Sequence, residues 1–336
     1  MATATQRRSG AIDTLRGLLV VGVILGHFAE LTDRSGFSTW LGAGFRMPVF
    51  IGLAGYLFNL ERVRAMPLRR VVGRYYGRLL LPWLLALAVY LTVTRQMELL
   101  TPFHTFVRPP YHFWFVPVLM TFILVAALTR WSPLAMLGIA FPASILAMYV
   151  FGVGYATEQA HGWIPDRRFF IYPIYFYYGL WVARRPPERW KAIAACVLAP
   201  IGIAWWSSLH AAPDLRGEVA AGLLASLPLI CLLPYARMMP ASLPVVTSMG
   251  RNSLFFYLWH PMTFGLWSIF GVRGVPMLMA TLVTLALLAK WAANVPSIAR
   301  ILGLVPRPIK LSADSAPTAP APMAPAGAVA AIGPAT

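Results

Sequence analysis

The chain has 336 residues, 59% of them hydrophobic and 12% charged. A soluble domain carries about 25% charged residues, so this composition excludes an ordinary soluble protein and points to the membrane. The net charge of +17 lies in short clusters between apolar runs, with no basic face interleaved with aromatics; it marks topology and speaks against nucleic-acid binding.

A bilayer core of about 30 Å takes roughly 20 apolar residues per helix. In chain order such runs occupy 11–31, 40–60, 79–97, 112–129, 134–153, 168–183, 190–209, 217–235, 252–271 and 275–294. They are too long for strands and lack alternation, so they predict an all-α, polytopic integral membrane bundle of about ten transmembrane helices. Arg7 and Arg8 precede the first run, which continues through Phe28; this reads as a retained helix, not a cleaved leader. Placing residues 1–10 in the cytoplasm leaves nineteen lysines and arginines inside and seven outside. Both termini are therefore expected in the cytoplasm, with the protein in the inner (plasma) membrane among its lipids. Residues 11–294 form the transmembrane domain. The remainder, 295–336, is a cytoplasmic tail, Ala/Pro-rich and expected to be disordered from about 311. Cys196 and Cys231 lie in apolar runs without metal-ligand spacing.

The first run, "AIDTLRGLLVVGVILGH", carries Arg16 and His27. Eleven residues turn a helix by about 1100°, three turns plus roughly 20°, and raise it about 16 Å, so both side chains share one face. Ionisable groups within a span are candidates for function; the competing reading has Arg16 snorkelling to headgroups and His27 bonded to a neighbouring helix. Asp13 and Arg16 form an i,i+3 pair, and Glu30 follows His27 by three, where it could orient the imidazole. Arg46 stands just before Met47-Pro48, where proline interrupts the hydrogen-bond ladder; it is a candidate to hold an acceptor or to snorkel outward. In "ERVRAMPLRRVVGRYYGRLLLPW", Arg70, Arg74 and Arg78 recur every fourth residue and form a cytoplasmic basic stripe suited to phosphate, or simply the positive-inside signal. His112 and Trp114 open the fourth run at the expected outer surface, either as a headgroup anchor or as a sugar-stacking platform; His260 lies deeper, before Pro261. His104, His161 and His210 fall in outer loops, and no histidine pair has zinc-ligand spacing, so no metal is expected.

Five stretches resemble, in order, the membrane-bound acyltransferase family 3, which includes bacterial O-antigen and exopolysaccharide O-acetyltransferases. The first helix carries the arginine, ten residues, then histidine pattern as Arg16 and His27. "RMPVFIGLAGYLF", "RRVVGRYYGRLLLPW", "YHFWFVPVLM" and "GRNSLFFYLWHP" resemble its second helix, its arginine-rich third-helix entry, its aromatic segment and its late His-Pro helix. Two departures stand out: Ala54 replaces a usual serine, and the third-helix arginines are spaced by three residues where two are common. The resemblance implies O-acyl transfer, usually of acetyl from cytoplasmic acetyl-CoA, to a hydroxyl of an envelope glycan or a glycosylated small molecule. His27 is then the catalytic base or an acyl relay, at the end of a donor path that Arg16 helps to line. Arg74, Arg78 and Arg70 bind the acyl-CoA, and Arg46, Trp114, His112 and His260 face the acceptor. The other reading is a transporter or flippase for an anionic or acylated solute; it predicts an inverted repeat between the halves, which the sequence does not show.

Overall fold

A computed structural model describes residues 10–32, 36–153, 165–240 and 243–306. The expected disordered tail, the N-terminal segment and His161 lie outside the described residues. The helices are α1 (Gly10–Leu31), α2 (Phe37–Tyr56), α3 (Leu60–Arg64), α4 (Leu68–Val93), α5 (Phe115–Leu128), α6 (Pro133–Phe151) and α7 (Pro173–Val182). They continue as α8 (Arg189–Ser208), α9 (Leu215–Met238), α10 (Pro244–Arg251), α11 (Ser253–Ile269), α12 (Gly274–Ala292) and α13 (Pro296–Leu302).

Among the described residues, α1, α4, α6, α8, α9 and α12 are 19 to 26 residues long and apolar enough to cross a membrane. The other four predicted runs are helical too, as α2, α5, α7 and α11, but shorter or less apolar. Their place in the bundle explains the difference. These four bury about half or more of their residues against protein. In contrast, α6, α8 and α12 expose Leu146, Ile193 and Leu287, the surface that hydrocarbon accepts.

Helix ends depart from the sequence reading where local chemistry intervenes. The arginine-rich stretch is part of α4 itself, which begins at Leu68 and passes through a π-helical turn at Tyr76–Leu80. Pro173 lacks an amide hydrogen, so the predicted 168–183 run divides into a single turn, Arg168–Ile171, and α7. Pro234 likewise marks a break in α9 at Leu232. Caps are local in origin: Asn59 accepts from the Arg62 amide, Ser132 from Ala135 and Asp214 from Gly217.

The core around α1 relies on backbone contact. A side chain at Gly250 of α10 would overlap the Asp13 carbonyl, and one at Gly17 of α1 the Val246 carbonyl. The two helices touch main chain to main chain there, as membrane helices do at small residues. Thr14 and Thr247 tie the same crossing with a buried hydroxyl pair at 2.7 Å. Gly250→Val is therefore expected to prevent α10 from docking. The detergent-purified variant should lose its monodisperse size-exclusion peak, whereas Gly73→Ala, which meets nothing within 4 Å, should keep it.

Candidate active site

At one end of α1 a cavity of about 870 Å³ opens between α1, α4, α9, α10 and α13. Its walls carry Arg16, Arg74, Arg78, Arg184, Arg237, Arg251 and Arg300, opposed by only Asp13 and Glu61. Asp13 is buried; the Arg251 Nε donates to it at 3.2 Å, and the Arg16 Nη1 lies 3.9 Å from its other oxygen. This carboxylate thus fixes the root of the Arg16 side chain against α10. Glu61 takes both arms of the Arg184 fork at 2.9 and 3.0 Å. Burial pushes the Glu61 carboxyl up, but its own backbone amide and Arg184 outweigh that and hold it below the usual carboxylate range. The surplus of guanidinium groups gives the cavity a positive lining of the kind that suits a polyanion.

The cavity narrows into a throat of about 190 Å³. Arg16, Arg78, Leu57, Phe58, Leu79, Ser253 and Leu254 line both spaces, so Arg16 and Arg78 stand at the neck. Beyond them the walls are Phe50, Ala54, Phe115, Leu119, Ile123 and Tyr257. Phe50 and Phe115 stack at 5.1 Å. Ala54, the departure from the family serine, contributes a methyl group to this lining, so that position adds no hydroxyl to the throat. Charge at the mouth and hydrocarbon within suit a molecule with an anionic head and a slender apolar arm.

Tyr257 lines the throat, and its hydroxyl donates a hydrogen bond to the His112 carbonyl. Behind it three imidazoles converge from α1, the turn before α5, and α11. Ring centroids lie 5.2 Å apart for His27 and His260, 5.8 Å for His27 and His112, and 5.7 Å for His112 and His260. The His27 Nδ1 lies 3.0 Å from the Glu30 carboxylate. An ionised carboxylate only accepts, so in the neutral ring the proton sits on Nδ1 and the lone pair on Nε2. The His260 Nδ1 donates to the Phe256 carbonyl at 2.9 Å, which frees its Nε2 in the same way. The buried Nε2 atoms of His260 and His112 have no hydrogen-bond partner. Two unsatisfied imidazole nitrogens beside a third that can act as a base form a place for a hydroxyl group.

The remaining candidates divide by position. His112 and Trp114 were expected at the outer surface, yet both are buried. Their turn is drawn inward because the Trp83 indole donates to the Phe113 carbonyl at 2.8 Å and Tyr257 holds His112. Trp114 stacks on Tyr172 at 5.2 Å and lies 4.8 Å beneath the Arg168 guanidinium, which Asp166 anchors at 2.8 Å. Arg46 is buried against α1, its Nη1 donating to the Gly22 carbonyl at 2.8 Å. Arg70 is exposed and lies outside both cavity linings.

Residues 9–294 match the acyltransferase family 3 domain, described as an acyltransferase domain. The chain belongs to that family. No curated protein and no solved structure matches it. This acyltransferase, with six helices among the described residues long and apolar enough for a bilayer, is a membrane protein. Its family match covers all the elements of the site except Arg300 and the α13 wall of the cavity. Sequence reasoning missed Arg184, Arg237, Arg251 and Arg300 because each also satisfies the positive-inside rule. It also missed Tyr257, which reads as one more aromatic in an aromatic helix.

Proposed function

We propose that this acyltransferase moves an acyl group, acetyl foremost, from cytoplasmic acyl-CoA to a hydroxyl of an envelope glycan or glycosylated small molecule. The observation that carries the reading is an arginine-lined cavity that shares its neck with an apolar throat lined by Tyr257, whose ring packs against His112 and His260. The cavity takes the phosphates of the donor through Arg74, Arg78 and their neighbours, and the throat takes the uncharged pantetheine arm. Ten spans with both termini in the cytoplasm put the mouth where acyl-CoA is made, in the inner membrane.

The transfer then uses groups already described. The His27 Nε2 accepts the acceptor's hydroxyl proton as the oxygen attacks the thioester carbonyl. The tetrahedral intermediate collapses, the C–S bond breaks, and the imidazolium returns the proton to the departing thiolate. The lone pair on the His260 Nε2 can accept from a neighbouring hydroxyl of the acceptor. Formation of an acyl-imidazole on His27, followed by transfer to the acceptor, uses the same atoms in two steps.

The decisive experiment follows thiol release from acetyl-CoA by purified protein, with and without an extract of envelope glycans. Acceptor-dependent release, with radiolabelled acetyl recovered on the glycan, is expected. A protein that neither binds acetyl-CoA nor releases CoA under any acceptor condition would sink the proposal.

A further inference from the structure

Arg46 presents a problem that acyl transfer from CoA does not solve. It lies in α2 with 8% of its surface exposed, its Nε has no hydrogen-bond partner, and its one hydrogen bond goes to a neutral carbonyl. No carboxylate among the described residues pairs with it: Asp166 is bound to Arg168, Glu30 to His27 and Asp13 to Arg251. A buried cation without a counter-charge is costly, more so at membrane depth.

The chain makes room for this group rather than excluding it. A side chain at Gly26 would collide with the guanidinium, one at Gly42 would come within 3.2 Å of Nη1, and one at Gly22 within 3.3 Å of Cδ. Gly26 immediately precedes His27, so the cradle sits one residue from the base. Arg46 lines neither the cavity nor the throat, so the phosphates of the donor are not its partner. Its guanidinium lies against Gly26, next to His27, whose ring faces those of His112 and His260. With no counter-ion among the described residues, Arg46 is left to pair with an anion that arrives on the histidine side, away from the donor cavity.

We propose that Arg46 is the anion-binding element of the acceptor site, and that the acceptor is a hydroxylated, sugar-type molecule bearing a carboxylate or phosphate near the hydroxyl presented to His27. The hydroxyl half of this statement rests on the acyl-transfer reading; the anion half does not. A carboxylate can take the Arg46 fork in two parallel hydrogen bonds, and a phosphate monoester can do the same. A neutral sugar leaves the cation uncompensated. Arg46 thereby sets specificity.

The test measures binding directly, by calorimetry on the detergent-purified protein, for methyl glucuronide, methyl glucoside 6-phosphate and methyl glucoside. At least one charged glycoside is expected to bind about tenfold or more tightly than the neutral one, and the comparison of the two charged ligands names the anion. Arg46→Gln should reduce the discrimination to less than about threefold, and Arg46→Lys, which keeps the charge but loses the planar fork, should fall between Gln and wild type. Acetyl-CoA binding reports whether a variant is folded. Should Arg46→Gln fail to fold, the wild-type comparison and Arg46→Lys still decide. Equal binding of all three glycosides, no binding of any, or undiminished discrimination in folded Arg46→Gln would overturn the proposal. A glycoside that binds through Arg46 but is never acylated would count against the acyl-transfer reading and leave the anion site standing.

Discussion

His27→Ala is expected to lower kcat for acyl transfer by about 10²- to 10⁴-fold, the usual range for loss of a positioned base. The donor's affinity should stay near wild type, because His27 lines neither the cavity nor the throat. That pattern, kcat lost and binding kept, separates a group acting in the transition state from one that merely holds the bundle together. Glu30→Gln should also lower kcat, since an amide no longer stabilises an imidazolium and its NH2 group can donate to Nδ1 and select the wrong tautomer. The two chemical routes also part here. If the acyl group rests on the imidazole, wild-type protein given acetyl-CoA without acceptor should gain one acetyl mass on the peptide containing His27, removable by hydroxylamine. A one-step transfer leaves that peptide unmodified. Activity in His27→Ala above about one-tenth of wild type would remove His27 from the chemistry altogether.

How much of this was legible in the sequence differs between elements and contacts. Lipid demands long apolar runs, so all ten predicted segments correspond to helices. Their ends were less visible, because arginines look like a boundary. In α4 the helix carries Arg70, Arg74 and Arg78 outward on its own backbone and then shifts phase through the π turn. The π turn shifts Arg78 relative to Arg74, while Arg70, one regular turn further from the throat than Arg74, lies outside the cavity. The histidines tell a second story. His27, His112 and His260 each stood out singly, but their meeting depends on α1 and α11 lying side by side and on Trp83 pulling the 111–114 turn inward. No spacing along the chain encodes that. Pairing of Asp13 with Arg16 was legible as i,i+3, whereas the shorter contact from Arg251 comes from 238 residues away.

The neck between cavity and throat makes the sharpest demand on the donor. Arg78 lines both spaces and Arg74 only the outer one. A charge-assisted hydrogen bond to phosphate is worth about 1.5–3 kcal/mol, so Arg78→Met is expected to raise the KM for acetyl-CoA by about 10- to 100-fold. The KM for the acceptor should hardly move. Arg78→Lys keeps the charge but loses the planar fork, and should fall between the two. Arg74→Met should act in the same direction but more weakly, because its phosphate contact has the other cavity arginines to substitute for it. Arg70→Met should match wild type. Raising ionic strength should weaken donor binding in the wild type more than in Arg78→Met, since the lost interaction is the one that salt screens. The steady-state series in acetyl-CoA at fixed acceptor reads all of these together. If Arg70→Met proved as damaging as Arg78→Met, the basic stripe would be acting as a membrane anchor, and the donor would have to enter elsewhere. If instead the loss grades from Arg78 through Arg74 to none at Arg70, the order follows depth in the cavity, as expected for a polyanion threaded head-last towards His27.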